Sequence, residues 1–396
     1  MYRVGFGDCF LVSLPGADRD HHILVDCGVH VRGDINTMGA AVDDIATVTG
    51  KRVDIVIATH AHQDHISGFG TFASKFAAFD VGEVWMPWTE DPSDPTAAKL
   101  KGRQQSLVGK LTHHFAALND PRFGAAQSAL LNLASNQDAF KLLRSGFHNA
   151  TVKYYKAGAE LTNPAGIAGL TVEVLGPPTD TAFLAKMDPP AGQRYLRASG
   201  SGQATVDGVT PFERHWNATK GDPGPRLSEA QRKELRAIVD NPVSSLAFAL
   251  DQAINNTSLV TLFRYRGKSL LFPGDAQYGN WKAWMDGTAA DGILSAVDFY
   301  KVAHHGSVNA TPKGALEKMP SKTLAAMVST QSEPWPSIPE PKLMEALDRK
   351  AQRGVVRSDS LTVPSGKAPK GPPLGTLPTG FSTGSIWIDY VIPVGP

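Results

Sequence analysis

The chain has 396 residues, a length that predicts either one large domain or two smaller ones. Hydrophobic residues make up 42% of it, which is enough for a sizeable core, and the formal net charge of +1 gives no electrostatic signature of a protein that binds nucleic acid or acidic membranes. The two cysteines exclude a disulfide scaffold and a cysteine-rich zinc finger. Because no apolar run is long enough for a signal peptide or a membrane span, we expect a cytoplasmic chain with no membrane partner.

Hydrophobic patterning predicts alternating strands and helices on both sides of a less regular middle segment. In chain order, the predicted elements before that segment are strands at 10–14 and 22–28 joined as a hairpin, a helix from Ile35 to Val48, a doubly buried strand at 53–59, a helical stretch to about Phe76 and a strand at 81–87. After it come two strands within 256–276 that turn at Arg266-Gly267, a strand within 297–307 ending in a histidine pair, a strand at 324–330, a helix at 341–353 and a final strand at 385–392. This alternation predicts an α/β fold.

Residues 88–245 are interpreted as an insertion within a single domain that spans 1–396. Its predicted parts are helices at 97–119 and 124–146, strands at 151–157 and 170–178, and a Gly/Pro/Ser-rich run at 188–226. That run has little periodicity, so it is interpreted either as a lid or as a disordered excursion.

Four side chains of the kinds that bind metals fall within six residues, directly after the buried strand at 53–59: His60, His62, Asp64 and His65. In an extended segment the first two imidazoles point to the same side, so both can reach one metal, whereas a helix beginning near Asp64 would direct the last two toward a second ion. Imidazole with carboxylate suits zinc, with manganese or iron as alternatives. A lone Asp here could be a helix cap, but three imidazoles packed together would destabilise the fold unless something bridged them.

The segment THAHQDHISG, residues 59–68, resembles the H-x-H-x-D-H motif of the metallo-β-lactamase superfamily. VGFGDCFLVSLPG and HILVDCG resemble the N-terminal strands of the branch that contains the ComEC/Rec2-type competence proteins, and GLTVEVLGPP, NNTSLVTLFRYRGKSLLFPGD and FYKVAHHGS resemble its later segments in the same order. The resemblance covers about 1–87, 150–178 and 245–350. It implies an αββα sandwich with two metal ions at one edge, and the ligand types favour zinc.

The resemblance also implies roles for residues outside the histidine-rich motif. Asp275, in FPGDA, matches the aspartate that bridges two metals. Of the pair in AHHGS, His305 is favoured as a ligand and His304 as a proton donor or phosphate contact, since alternation along the incoming strand would send the two rings to opposite sides. Asp8 and Asp26 match acidic positions that orient the metal ligands, with turn residues in Gly-rich loops as the alternative.

One position departs from the pattern of the superfamily. Many members carry another histidine before the strand that leads to the bridging aspartate, and Asn255 and Asn256 stand there in this chain. The first metal site is therefore expected to be incomplete, or to be completed by a distant residue such as His148 or His215. The number of metals stays open.

The implied activity is hydrolysis by a metal-bound hydroxide, with Asp64 orienting or deprotonating the nucleophile as well as binding metal. The competence-like segments favour a phosphoester, while the near-neutral composition disfavours a long polyanion. We therefore predict a small phosphodiester or phosphorylated substrate, with nucleic acid left possible. The alternatives are a lactone, ester or amide hydrolase, and a degenerate member that binds metal or a ligand without turnover.

Overall fold

The computed structural model describes residues 1–35, 37–118, 124–133, 136–195, 250–331, 334–361 and 375–394. In these residues the strands, in chain order, are β1 (Cys9–Leu14), β2 (His21–Cys27), β3 (Arg52–Ile57), β4 (Asp80–Pro87), β5 (Thr151–Tyr155), β6 (Ala159–Thr162), β7 (Thr171–Gly176), β8 (Val260–Tyr265), β9 (Lys268–Phe272), β10 (Phe299–Lys301), β11 (Ala325–Val328), β12 (Gly354–Arg357), β13 (Phe381–Thr383) and β14 (Ile388–Tyr390). The helices are α1 (Met38–Thr49), α2 (Gln63–Thr71), α3 (Ala73–Phe76), α4 (Pro95–Leu118), α5 (Gly124–Leu133), α6 (Gln137–Lys141), α7 (Thr181–Leu184), α8 (Tyr278–Met285), α9 (Ala290–Ser295), α10 (Lys313–Lys318) and α11 (Pro341–Lys350).

Two sheets form the centre of the molecule. The first has the order β1-β2-β3-β4-β5, with β1 antiparallel to β2 and the other neighbours parallel. The second has the order β12-β11-β10-β9-β8-β7-β6, parallel from β9 to β12 and antiparallel from β6 to β9. Strands β13 and β14 form a small antiparallel pair.

The main core lies between the two sheets. Side chains alternate across a strand, so Ile55 and Ile57 of β3 point toward the second sheet, where they join a cluster containing Phe263 and Phe272. Val56 points the other way, into a cluster with the helices that cover the outer face of the first sheet. The outer face of the second sheet packs against α8 to α11 in a third cluster. The layers are therefore helix, sheet, sheet, helix, which is the αββα arrangement that we expected.

Most predicted elements have counterparts in the structure. The predicted hairpin is β1 and β2, and the predicted turn at Arg266 and Gly267 joins β8 to β9 with positive φ at both residues. The first helix begins three residues later than predicted, at Met38. Strand β6 was not predicted, because its four residues, AELT, alternate only between half-buried and exposed and carry no apolar run. No described helix combines the length and the apolar character that a bilayer crossing requires.

The predicted insertion, 88–245, contains three strands that belong to the sheets themselves. Strand β5 pairs in parallel with β4, so the helices between 88 and 146 form a long crossover between neighbouring strands. Strands β6 and β7 are the edge of the second sheet. The insertion therefore stays a prediction for the residues before β5 and after β7. Most of the run interpreted as a lid or excursion, 196–226, lies outside the described residues.

The segment before β1 and the loop after β2 contact the start of α2, where the histidine-rich motif lies. An added Cβ at Gly28 would come within 2.3–2.5 Å of backbone atoms of His65 and Ile66, and one at Gly7 within 2.7 Å of the Asp64 carbonyl oxygen. The Asp8 amide also donates to that carbonyl, at 2.9 Å. Glycine at these positions lets the three backbone segments touch, which places the motif.

We expect Gly28→Ala to lower the free energy of unfolding by at least about 1–3 kcal/mol, because the clash is with backbone that cannot rotate away. Chemical denaturation measures this. The matched control is Gly102→Ala in the exposed face of α4, where an added Cβ meets nothing within 4 Å. There the same change should stabilise by about 0.5–1 kcal/mol, since alanine loses less backbone entropy. Equal effects at the two sites would contradict the close-packing explanation.

Candidate metal centre

Three turns meet at one edge of the sandwich. They are the histidine-rich turn after β3, the turn after β9 that carries Asp275, and the turn after β10 that carries the histidine pair. His65 Nε2 lies 3.1 Å from Asp275 Oδ2, and His305 Nε2 lies 3.3 Å from the same oxygen. His305 Nε2 is also 3.2 Å from Asp64 Oδ2. The structure therefore brings together residues that are separated by up to 241 positions in the sequence.

Asp64, His65, Asp275 and His305 form a compact buried cluster, which we call the four-donor cage. One ligand atom from each lies within 4.8 Å of all the others. The second ring nitrogen of each histidine is already engaged, His65 Nδ1 with Asp26 Oδ2 at 2.7 Å and His305 Nδ1 with the Ser329 carbonyl at 2.8 Å. Because both Nδ1 atoms are hydrogen-bonded outward, both Nε2 atoms face the cage, where each can bind a cation after losing its proton.

The histidine pair follows a turn that the strand pattern did not predict. His304, His305 and Gly306 have φ of 46°, 52° and 84°, so three successive residues are left-handed and the alternation of β10 ends before them. The expectation that the two rings point to opposite sides is wrong for this reason. Both approach Asp275 Oδ2, His304 Nε2 at 3.9 Å and His305 Nε2 at 3.3 Å. The side chain of His304 is 15% exposed, whereas that of His305 is fully buried.

Neighbouring charges in the cage shift one another's pKa. Burial by itself lowers the pKa of a histidine, but the carboxylates of Asp275 and others raise the pKa of His65 well above its ordinary value and that of His305 to about 10. Burial opposes ionisation of Asp275 as well, yet the neighbouring imidazoles and Lys301 hold its pKa well below the ordinary value. Four carboxylates, Asp8, Asp26, Asp64 and Asp275, are thus buried with one ammonium.

This chemistry fits a divalent cation. Asp64 Oδ1, His65 Nε2 and Asp275 Oδ2 are buried and have no hydrogen-bond partner among the described residues. Unpaired buried acceptors are costly, and an excess of buried carboxylates is costlier still. A divalent ion would satisfy both, since carboxylate and imidazole are its ordinary ligands.

Comparison with known proteins adds to the geometry. Residues 2–122 match the family model described as "Metallo-beta-lactamase superfamily". The fold is the metallo-β-lactamase fold. Among solved structures, the chain is similar to the metallo-β-lactamase fold protein YhfI from Bacillus subtilis, with 10% identity, a TM-score of 0.33, and coverage of 89% of this chain and 95% of that one. No match is found among curated protein sequences.

In this metallo-β-lactamase fold, a second layer of side chains surrounds the cage. Asp26 accepts from His65, and the Thr59 hydroxyl donates to the same carboxylate at 2.7 Å. Lys301 forms a buried ion pair with Asp8, lies 3.3 Å from Asp275 Oδ1 and donates to the Gly274 carbonyl at 2.9 Å. Lys301 was missed by the sequence analysis. The available signal was a lysine among the apolar and aromatic residues of the strand segment FYKVA.

His60 and His62 form a separate pair beside the cage. His60 Nε2 lies 3.0 Å from His62 Nδ1, and both side chains are buried. Neither belongs to a group of three or more compactly placed ligand residues among those described. Beside the four-donor cage, the described residues therefore contain this histidine pair, His60 and His62, which we call the half-site.

The two asparagines at the position of the expected histidine have different surroundings. Asn256 is structural, because its amide donates to the Leu184 and Lys186 carbonyls and its oxygen accepts from the backbone of Gln277. Asn255 faces the site, with Nδ2 3.3 Å from His304 Nε2 and a buried Oδ1 without a partner among the described residues.

Neither distant histidine is seen to complete the half-site. His148 bridges to Asp80 at the start of β4, the opposite end of the sheet from His60, so the suggestion that it completes the site is wrong. His215 lies outside the described residues. The fold and the His/Asp cluster together support a metal-dependent hydrolase in general terms.

Proposed function

We propose that this protein is a metal-dependent hydrolase that acts on a small phosphodiester or another phosphorylated molecule. The observation that carries the proposal is the four-donor cage, in which each ligand atom is buried and faces the others within 4.8 Å. Structural histidines and aspartates seldom converge in this way, because uncompensated buried acceptors destabilise a fold.

The proposed ligands of one divalent cation are Asp64, His65, Asp275 and His305, and those of a second are His60 and His62, with Asp275 between the two. Zinc is proposed from the imidazole-rich donor set, with manganese or iron as alternatives. Bound cations would supply Lewis acidity toward the electrophile and would acidify a water molecule.

The chain's own side chains orient the reactants. Asp64 presents Oδ1, a buried acceptor with no partner among the described residues, which can hold the attacking water by accepting its hydrogen. His304 is the most exposed of the five site histidines, which supports the proposal that it contacts the leaving-group oxygen or a phosphoryl oxygen. Hydrogen bonds keep three other rings in one orientation: His65 bonds to Asp26, His305 to the Ser329 carbonyl and His60 to Thr59.

The proposed preference for a small phosphoester is supported by the polar groups around His304. Gln277 Nε2 lies 3.5 Å from His304 Nδ1, and Gln277 Oε1 and Asn255 Oδ1 have no partners among the described residues. The NH₂ groups of these two amides can donate to the oxygens of a phosphoryl group without adding charge, and their unpaired oxygens can accept from a hydroxyl of the substrate. The near-neutral chain supplies little electrostatic attraction for a long nucleic acid.

The test begins with metal analysis after zinc reconstitution and anomalous scattering at the metal edge, followed by a substrate panel. The panel contains bis-p-nitrophenyl phosphate, plasmid DNA and homoserine lactones with added zinc or manganese. We expect metal at the cage and turnover of the phosphodiester, lost with chelator and restored with metal. Turnover of lactones alone would replace the phosphoester proposal with a carbon-ester hydrolase. Less than about one equivalent of bound metal would favour a degenerate, non-catalytic member.

A further inference from the structure

Asp251 is a carboxylate next to the half-site that no motif predicted. It lies in a helical segment described over 250–255, four residues before Asn255, the first of the asparagines that replace the expected histidine. Its Oδ1 lies 3.5 Å from His62 Nε2, and its side chain is 16% exposed. Both of these atoms are buried, and neither has a hydrogen-bond partner among the described residues. Asp251 Oδ1 and His62 Nε2 can therefore satisfy each other by pairing.

Hydrogen bonding fixes the tautomer of the neighbouring imidazole, His60. The Thr59 hydroxyl donates its one hydrogen to Asp26 Oδ2, at 2.7 Å. Thr59 Oγ1 can therefore only accept from His60 Nδ1, 3.1 Å away, so His60 carries its hydrogen on Nδ1. The Nε2 atom of His60 is left as a lone pair, and it faces His62 Nδ1 at 3.0 Å.

Burial raises the pKa of Asp251, but when that carboxyl is ionised, both neighbours of a neutral His62 can only accept its one N–H. If the hydrogen is on Nε2, it points to Asp251, and two nitrogen lone pairs then face each other across 3.0 Å. If it is on Nδ1, the Nε2 lone pair faces a carboxylate instead. The first arrangement is suited to a cation, because two nitrogens each about 2.0–2.1 Å from one zinc ion lie roughly 3.3 Å apart. The second leaves a repulsive buried contact that no bound ion at the half-site would relieve.

We propose that Asp251 is the positioning residue of the half-site: it accepts the Nε2–H of His62 and so commits His62 Nδ1, together with His60 Nε2, to binding one divalent cation. The half-site is thereby usable although no third histidine among the described residues completes it. This inference rests on the proposed metal-dependent function and assigns a role in it to a residue that does not itself touch the metal.

The test compares Asp251→Ala and Asp251→Asn by zinc titration of the metal-free protein. The asparagine oxygen can accept the same hydrogen bond, whereas alanine cannot. We expect the wild type to bind two equivalents, and Asp251→Ala to bind the weaker equivalent about 10–100-fold less tightly, the usual loss when a partner of a ligating histidine is removed. Asp251→Asn should stay within about threefold of wild type. The matched control is Asp286→Ala, an exposed aspartate at the end of α8 that pairs with Lys282, and it should bind as wild type.

Nitrogen-15 NMR of the histidine rings gives a second measurement that does not depend on activity. We expect His62 of the zinc-loaded wild type to be protonated on Nε2, and this signal to be shifted or averaged in Asp251→Ala. Retention of the cage equivalent in both variants shows that they are folded.

Each contrary result overturns the inference in a recognisable way. Equal losses in the alanine and asparagine variants would make Asp251 a direct ligand. Lower thermal stability with unchanged zinc affinity would make it merely structural. A wild type that binds only one equivalent would remove the half-site but keep the cage, whereas a wild type that binds none would refute the proposed function itself.

Discussion

Asp275→Asn should abolish tight binding of divalent metal and, with it, turnover. The two carboxylate oxygens of Asp275 face different groups. Oδ1 lies 3.3 Å from the Lys301 ammonium, and Oδ2 faces His65 Nε2 at 3.1 Å and His305 Nε2 at 3.3 Å. In the asparagine variant the amide oxygen stays opposite the lysine, so an NH₂ group without a lone pair faces the imidazoles. The cage then loses its central acceptor without losing volume.

We expect zinc affinity to fall by at least about 100-fold. This is more than the fall expected when a residue that only orients a metal ligand is removed. Isothermal titration and elemental analysis measure binding, and hydrolysis of bis-p-nitrophenyl phosphate measures turnover. The control is Asp298→Asn, since Asp298 also pairs with a lysine of the second sheet, Lys268 at 3.4 Å, but precedes β10 at the end away from the cage. Unchanged turnover in a metal-replete Asp275→Asn protein would refute the bridging role.

Lys301→Met should destabilise the metal-free protein by about 3–5 kcal/mol, the usual cost of removing one partner from a buried ion pair. The Lys301 side chain is 2% exposed, and its ammonium is the counter-charge for Asp8 and Asp275. Without it the two buried carboxylates keep only the neighbouring imidazoles as counter-charges. Urea denaturation in the presence of a chelator measures the change, and saturating zinc should restore part of it because binding to the folded state stabilises that state.

The control for this variant is Lys153→Met, because Lys153 pairs with Glu83 at 2.8 Å while its side chain is 39% exposed. Solvent screens that pair, so its loss should cost less than about 1 kcal/mol. If the two methionine variants lose similar stability, Lys301 is not the counter-charge of the cage. Adding Asp8→Asn to Lys301→Met should recover part of the loss, since it removes one of the two stranded charges.

The pH dependence of the Lys301 effect has a definite sign. Burial by itself lowers the pKa of Lys301. The carboxylates of Asp8 and, less strongly, Asp275 outweigh burial and raise this pKa above its ordinary value. The stabilisation is therefore fully present below the ordinary lysine pKa, about 10.4, and declines only as the pH rises toward the folded-state value. The destabilisation of Lys301→Met should thus be the same at pH 6 and pH 8.

Local sequence signals predicted the scaffold well for physical reasons. Strand β3 is a continuous apolar run because both of its faces are buried, and the histidine-rich motif follows it directly, so its position at the end of a strand could be predicted. The arrangement of His304 and His305 could not be predicted in this way, because three successive left-handed residues replace the strand alternation.

By itself, the sequence determined the α/β layering, the kinds of side chain available for a metal site and their places after β3, β9 and β10. Those properties depend on neighbours within a few residues, so periodicity and motif spacing reveal them. The tertiary structure alone decided that Lys301 is the buried counter-charge of Asp275, that Asp251 faces His62, and that Asn256 supports backbone instead of the site. Such contacts join residues far apart in the chain, and their energies depend on burial and charge pairing that only packing creates.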